Sequence, residues 1–360
     1  MPALDSLTIA RFRGLRDLTL AGLGRVNLLV GRNNSGKTSV LEALSLYCNP
    51  LDEFAWIHTA QRRELGESRL SLSESLAWLF PRAHGDDPLA LPDIRIDGHR
   101  GPLTVECKLV EAAGDPPTAD PMLKRSFQRM RRSTGITVFK GTELHVRAGD
   151  QLEDRFLMWD ALPATREQTR SDFAIPVDIV TPMSHRLEGT QVQHLTQATV
   201  ANFKDDVLAL LRHLDPQILD IDVLDPEGNA SSVYIHHQTV GRAPLSTFGS
   251  GLQRALLYSL TIPGVRGGVL LIDELESAIH VSVLPQIFSW LVQACEQHDI
   301  QLFATTHSLE AVDAVLGASE QHLDRIVGYR LNPPGSRAAV TRFDGELLHG
   351  IRHERGLDVR

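Results

Sequence analysis

"VNLLVGRNNSGKTSVLEAL", residues Val26 to Leu44, decides the fold. An apolar run ends in a glycine-bearing turn. It then continues into a segment whose apolar positions, Val40, Leu41, Leu44 and just beyond it Leu46, repeat at helical spacing. Gly31-Arg32-Asn33-Asn34-Ser35-Gly36-Lys37-Thr38, followed by Ser39, fits G-x-x-x-x-G-K-[ST]. Glycines let such a loop wrap closely, so that backbone N–H groups and a helix N-terminus face a β-phosphate. Lys37 then reaches the β/γ oxygens, and the Thr38 hydroxyl is placed to bind Mg²⁺. The competing reading is an ordinary strand–turn–helix; the apolar strand before and the helix after favour a phosphate loop.

The surroundings are those of a globular protein. The chain has 360 residues, 42% hydrophobic, enough for one large α/β domain or a domain with an inserted lobe. The start, "MPALDSLTIARFRGL", lacks the apolar segment of a signal peptide, and no stretch of about 18 apolar residues is available to cross a bilayer. Cys48, Cys107 and Cys295 lie far apart and form no metal pair, which suits a reducing cytoplasm. A net charge of −9 argues against strong nonspecific affinity for DNA. One local exception is "LKRSFQRMRR", Leu123 to Arg132, with five cations and one aromatic. Its bland reading is a solvated charged helix; its functional reading is contact with nucleic acid or an acidic partner.

Along the chain, "LDSLTIARFRGLRDLTLAGLGRVNLLVG" alternates apolar and polar residues and predicts an antiparallel hairpin feeding a buried strand. Residues 50 to 175 read as a β meander with a loose helical insertion. "AIPVDIVTPMS" is a further buried strand, and "VANFKDDVLALLRHLDP" is a helix stopped by Pro216, followed by the strands "ILDIDVLD" and "SSVYIHHQ". From Leu245 helices alternate with the strands "GGVLLID" and "QLFATTH", which implies a parallel sheet.

Three later motifs carry chemistry. "GGVLLIDELE" is an apolar strand ending in Asp273 and Glu274, where Asp273 can order a Mg²⁺ water shell and Glu274 can polarise a water. Read alone, it is a buried strand with a polar end. "LFATTHS" ends in His307, an ordinary polar cap unless the strand order sets it beside Asp273, where it can meet a γ-phosphate. "LSTFGSGLQRALL" places Gln253 and Arg254 in the first turns of a helix. There Ser246, Thr247 or Ser250 satisfies a plain N-cap, and the functional reading is a second anion-binding helix start serving another subunit's nucleotide.

In this order the motifs resemble the ABC-type ATPase heads, with Walker A, signature, Walker B and switch histidine in sequence. "GRNNSGKTS" with the preceding "LTIARFRGLRDLTL" is similar to the branch holding RecF, the SMC proteins and the OLD-family ATPases. "IDELESAIH" and "FATTHSLEAVDA" sharpen the likeness toward OLD-like heads. The resemblance is strong over residues 1–48 and 240–315 and weak between them. It implies an α/β P-loop head with an N-terminal antiparallel β subdomain, a parallel core sheet and a helical insertion. One domain over 1–360 would comprise an N-terminal lobe (1–120), an insertion and helical lobe (121–240) and a C-terminal lobe (241–360).

The same resemblance makes Asp273 the Walker B magnesium residue, Glu274 the catalytic base and His307 the switch histidine, with Lys37 acting on the phosphates. Ser250 and Gly251 fall in the signature. ATP with Mg²⁺ is then the ligand, and adenine over guanine follows from the resemblance alone. Leu275 stands where many relatives carry proline. No glutamine marks the Mg²⁺-sensing loop, for which "TPMSHR", Thr181 to Arg186, is the place to look. OLD nucleases carry a C-terminal Toprim domain, and the tail from Arg330 reads instead as a last hairpin and a short helix.

The function implied is a cytoplasmic ATPase that dimerises around ATP and regulates a separately encoded effector, a nuclease or Toprim protein, in phage defence. RecF-like action on DNA is the alternative. The "FRGLRDLTL" start and the lack of a membrane-facing motif count against a transporter, and the interval without heptads counts against an SMC-type coiled-coil arm.

Overall fold

A computed structural model describes the protein over residues 3–63, 70–82, 90–113, 138–160, 173–186, 188–226, 230–332 and 339–360, with isolated positions at 122, 124, 125, 128, 129, 132 and 228. Two compact units emerge. The first comprises Met1–Ser6, Leu20–Leu41 and Ile175–Arg360; the second comprises Leu7–Thr19 and Glu42–Ala174.

The first unit is built on a six-stranded sheet in the order Val340–Asp344, Ile326–Leu331, Val26–Val30, Gln301–Thr305, Val269–Ile272, Val177–Val180. All neighbours pair in parallel except the edge strand Val340–Asp344. Every residue of Val26–Val30, Val269–Ile272 and Gln301–Thr305 is buried, as expected of parallel strands covered on both faces. Helix Leu284–Gln297 shows why the sequence folds this way. Of its buried positions, Leu284, Ile287, Phe288, Leu291, Val292 and Cys295 recur at three and four and form one stripe, with Ala294 beside it.

Two fully buried polar side chains knit the sheet. Asn27 donates to the carbonyls of Gly24 and Leu302, and Gln301 donates to those of Leu4 and Gly24. Satisfied in this way, they avoid the cost of burying an amide without partners. A three-stranded antiparallel sheet, Gly241–Pro244, Ser232–His237 and Ile218–Leu224, belongs to the same unit.

The helix expected in "VANFKDDVLALLRHLDP" forms over Lys204–Leu214, and the structure adds before it a helix, Glu188–Val200, that the sequence reading does not contain. Glu188–Val200 ends, Asn202 turns the chain at φ +53, and Lys204–Leu214 begins. Asparagine is one of the few non-glycine residues that tolerate left-handed backbone, so the break sits where the sequence permits it. The Phe203 N–H closes it on the Ala198 carbonyl at 2.9 Å.

The second unit is built on a six-stranded antiparallel sheet, in the order Leu15–Ala21, Ser6–Phe12, Ala90–Gly98, Gly101–Ala113, Val138–Ala148, Leu152–Trp159. The predicted hairpin and β meander are its parts. Short helices flank it: Glu53–Gln61 is capped by Asp52, and Leu72–Ala77 by a Ser71/Glu74 capping box. Glu42, fully buried, is gripped by Arg13 at 2.8 Å and Arg63 at 2.6 Å.

Of the basic stretch Leu123–Arg132, the side chains of Lys124, Arg125, Gln128, Arg129 and Arg132 are exposed, and its other positions lie outside the described residues. Of the expected insertion and helical lobe, 121–240, residues 138–160 form two strands of the second unit's sheet, helices stand at Glu188–Val200 and Lys204–Leu214, and residues 133–137 and 161–172 lie outside the described residues. Among the described residues no helix is long and apolar enough to cross a membrane.

Candidate functional site

The candidate site lies at the carboxyl ends of three adjacent strands of the parallel sheet, Val26–Val30, Gln301–Thr305 and Val269–Ile272. Such strand ends are where open α/β sheets hold ligands. The His307 strand therefore stands between the phosphate-loop strand and the Asp-Glu strand, next to Asp273 as the sequence condition required.

After Val30 the chain turns at Gly31, whose φ of +141 excludes a side chain on conformational grounds. Space excludes it as well: a Cβ there would sit 2.8 Å from the Leu331 carbonyl oxygen. Asn34 (φ +62) and Gly36 (φ +94) complete the wrap, and Arg32, Asn33 and Asn34 face solvent. Helix Lys37–Cys48 starts immediately, with the Val40 N–H on the Gly36 carbonyl and Ser39 buried. Lys37 curls back over the loop, its Nζ donating to the carbonyls of Gly31 at 2.8 Å and Arg32 at 2.9 Å. Burial pushes its pKa below the ordinary lysine value, outweighing the attraction of Asp273, Glu274 and Glu276. The Ser35 hydroxyl is buried in the loop with no hydrogen-bond partner.

Thr38 points across the strand ends. Its Oγ1 donates to the Asp273 carboxylate, 3.0 Å from one oxygen and 3.2 Å from the other. Thr305 joins the same group, its Oγ1 donating to Asp273 Oδ1 at 2.6 Å and accepting from the Glu274 N–H at 2.8 Å. Thr38, Asp273, Thr305 and Glu274 form one continuous chain. Glu274 has φ +50, a left-handed backbone that is uncommon for a non-glycine residue and concentrates at functional sites. Leu275 contributes a tie that proline could not, its N–H donating to the Thr305 carbonyl at 2.9 Å.

Beyond the strand, His307 is half-buried, and its N–H donates to Glu276 at 2.9 Å. The helix Ser250–Thr261 follows Gly249, which makes no side-chain cap. Neither Ser246 nor Thr247 caps it, and Ser250 is exposed in the first turn with Oγ donating to the Ala278 carbonyl at 3.3 Å. Gly251 packs against that same carbonyl. The plain N-cap reading does not hold.

One residue central to the site went unassigned in the sequence. Arg254 is fully buried, its guanidinium donating to the carbonyls of Asp273 (2.9 Å), Glu274 (3.0 Å) and Thr181 (2.6 Å) and to the Tyr258 hydroxyl (2.8 Å). Tyr258 in turn donates to the Leu275 carbonyl at 2.9 Å. Arg254 thus ties the helix beginning at Ser250 to the Asp-Glu turn and to the Thr181 loop. A signal was present: Arg254 and Tyr258 are four apart among leucines, on one helix face.

Residues 3–90 match the family described as "AAA ATPase domain", and residues 137–313 the family described as "AAA domain, putative AbiEii toxin, Type IV TA system". The uncharacterised protein MJECL11 of Methanocaldococcus jannaschii is 31% identical over 114 residues, 31% of this chain and 98% of that protein. The DNA replication and repair protein RecF of Teredinibacter turnerae is 50% identical over 46 residues, 13% of this chain and 12% of RecF. An ATP/GTP phosphatase of Helicobacter pylori is 20% identical over 334 residues, 86% of each chain. The match to a second Methanocaldococcus jannaschii protein, MJECL10, spans only 24% of that protein's length. Among solved structures, an SMC head bound to the C-winged helix domain of ScpA aligns over 99% of this chain and 100% of its own, at 10% identity and a TM-score of 0.49. Both family matches are to ATPase domains, and with the RecF likeness they support an ABC-type ATPase head of the RecF/SMC branch.

Proposed function

We propose that this protein binds ATP with Mg²⁺ and hydrolyses it, and that two copies close around the nucleotide to control a separate effector protein in phage defence. The observation that carries the chemistry is the Thr38–Asp273–Thr305–Glu274 chain. It joins the phosphate loop to the Asp-Glu turn through oxygen donors.

A hydroxyl and a carboxylate about 3 Å apart are the hard ligands Mg²⁺ takes, with phosphate and water completing its shell. Bound Mg²⁺ supplies charge neutralisation on the phosphates. Gly31, Arg32, Asn33, Asn34, Ser35 and Gly36 wrap the β-phosphate, and the Ser35 hydroxyl, buried without a partner, is one donor for it. Lys37 exchanges its two carbonyl contacts for phosphate oxygens. Glu274, held by its strained backbone, orients the attacking water and receives its proton, while His307 faces the γ-phosphate.

The helix start at Ser250 and Gly251, lacking a side-chain cap, supplies the anion site for a partner copy's nucleotide. ATP then favours the closed homodimer by contacts it makes only there, and hydrolysis releases it. The AbiEii toxin description of the family matched over 137–313 supports the defence reading; an effector of nuclease or Toprim type follows from the OLD-like resemblance alone. The 50% identity to RecF over 46 residues supports the alternative, action on DNA in repair.

The test is ATP turnover and light-scattering mass with Mg²⁺. Glu274→Gln should abolish turnover yet accumulate ATP-bound dimers; unchanged turnover removes Glu274 as the base. DNA binding at low salt, compared with Lys124, Arg125, Arg129 and Arg132 neutralised, separates the two readings. No binding at low salt sinks the repair role.

A further inference from the structure

His307 is gripped by its main chain from two sides, and the geometry points to Glu276 and Arg360 as positioning residues that set where its imidazole reaches. The inference rests on His307 facing the γ-phosphate, as proposed above.

On one side, Glu276 Oε1 accepts the His307 N–H at 2.9 Å while Oε2 accepts the Thr306 hydroxyl at 2.7 Å. One carboxylate therefore holds the two residues that carry the chain off the strand end. On the other side, Arg360 Nη1 donates to the His307 carbonyl at 2.8 Å. Arg360 is not loose: its Nε and Nη2 rest on the Asp358 carboxylate at 3.0 and 2.8 Å. Between them Val359 is buried in the core of the first unit.

A second tie fixes the same segment. Arg352 donates to the Leu357 carbonyl at 2.7 Å and holds Asp313 through two contacts of 2.8 Å. Asp313 lies on the helix Leu309–Ala318, which starts two residues after His307 and is capped by Ser308. The turn bearing His307 is thus fastened at its N–H, its carbonyl and the helix that follows.

Among the described residues the imidazole itself has no such fastening; its placement comes from the backbone. Charge-assisted hydrogen bonds are the strong ones, and a misplacement of about 1 Å at a reacting group costs roughly 100-fold in rate. Neither Glu276 nor Arg360 is assigned to the nucleotide or the attacking water; they act through His307. Glu276 also attracts Lys37 through space, so the Arg360 variants carry the test of action through His307.

A structural seal would give similar contacts, so a double-mutant cycle decides. ATP turnover, KM and affinity for a non-hydrolysable ATP analogue are measured for Arg360→Ala, Arg360→Lys and Glu276→Ala, each in the parent and in the His307→Ala background. For the alanine variants kcat should fall roughly tenfold with KM unchanged, Arg360→Lys should recover most of the loss, and nothing further should be lost once His307 is gone. An equal fall in both backgrounds, or a raised KM with kcat kept, overturns the clamp. Should Glu276→Ala not fold, the Arg360 pair decides. A slow His307→Ala protein whose clamp variants run at parental speed removes the clamp alone. A His307→Ala protein as fast as the parent removes the reading of His307, and the clamp with it.

Discussion

The two units handle polarity in opposite ways. In the second unit the antiparallel strands alternate buried and exposed positions, as along Val138–Ala148, so polar side chains go to solvent residue by residue. In the first, the central strands are buried throughout, and apart from the paired amides Asn27 and Gln301 polar groups collect at their carboxyl ends: Thr38 after one strand, Asp273 and Glu274 after another, Thr305 to His307 at a third. Each unit also has a fully buried charged side chain. Glu42 is balanced by two arginines. Arg254 has no carboxylate and is satisfied by carbonyls and a hydroxyl. The first arrangement holds a fold together; the second also ties a helix start to a strand end. Parallel strands teach where to look, because their fully covered faces leave only the ends for chemistry.

Variants can break this contrast or sharpen it. The largest effect belongs to the strand ends of the first unit. Lys37→Ala should lower ATP-analogue affinity, and Glu274→Gln should lower turnover by about 100-fold or more while affinity is kept, read by fluorescence titration and phosphate release. Next is Phe156→Ala in the second unit, where a buried ring is removed. It should cost roughly 3–5 kcal/mol of unfolding free energy, and the folded fraction should still bind nucleotide with affinity within about twofold. A large affinity loss there would erase the division of labour.

Arg254→Ala leaves several acceptors without a donor and should cost about 3 kcal/mol together with most of the turnover. Lysine should not restore it, since a single ammonium cannot reproduce the fork. Unchanged melting and turnover would remove Arg254 from the site. The pH effect of Lys37 is smaller. Burial lowers its pKa in the folded state, so holding it charged without nucleotide is penalised at neutral pH. The penalty is relieved as pH rises from the lowered value to the ordinary lysine value, and stability without nucleotide rises across that window. Phosphate favours the charged form, so analogue affinity should fall as pH rises through the lowered value, earlier than for an ordinary lysine.

Much was legible in the linear chain because it depends on near neighbours. The loop Gly31 to Thr38, the apolar strand before it and the helix after it are read within one short window. So are the buried strand ending in Asp273 and Glu274, and the alternation that gives the meander. The helix Glu188–Val200 was missed because its apolar positions are few, Val192, Leu195 and Ala198 among polar residues, and the helix expected from Val200 begins only at Lys204 because Asn202 takes a left-handed turn. The cap expected from Ser246, Thr247 or Ser250 failed for a related reason: three hydroxyls near a helix start satisfy the rule on paper, and the chain geometry uses none of them.

By itself the sequence determined which residue types are present at each strand end, since periodicity, glycine positions and the Lys-Thr pair are local properties set by backbone sterics and hydrophobic burial. Only tertiary structure decided that the His307 strand lies between the other two, that Thr305 joins Asp273 to Glu274, and that Arg254 turns inward. Hydrogen bonds between residues far apart in the chain depend on strand order and on directions within a few ångströms, and spacing along a polymer carries no record of either.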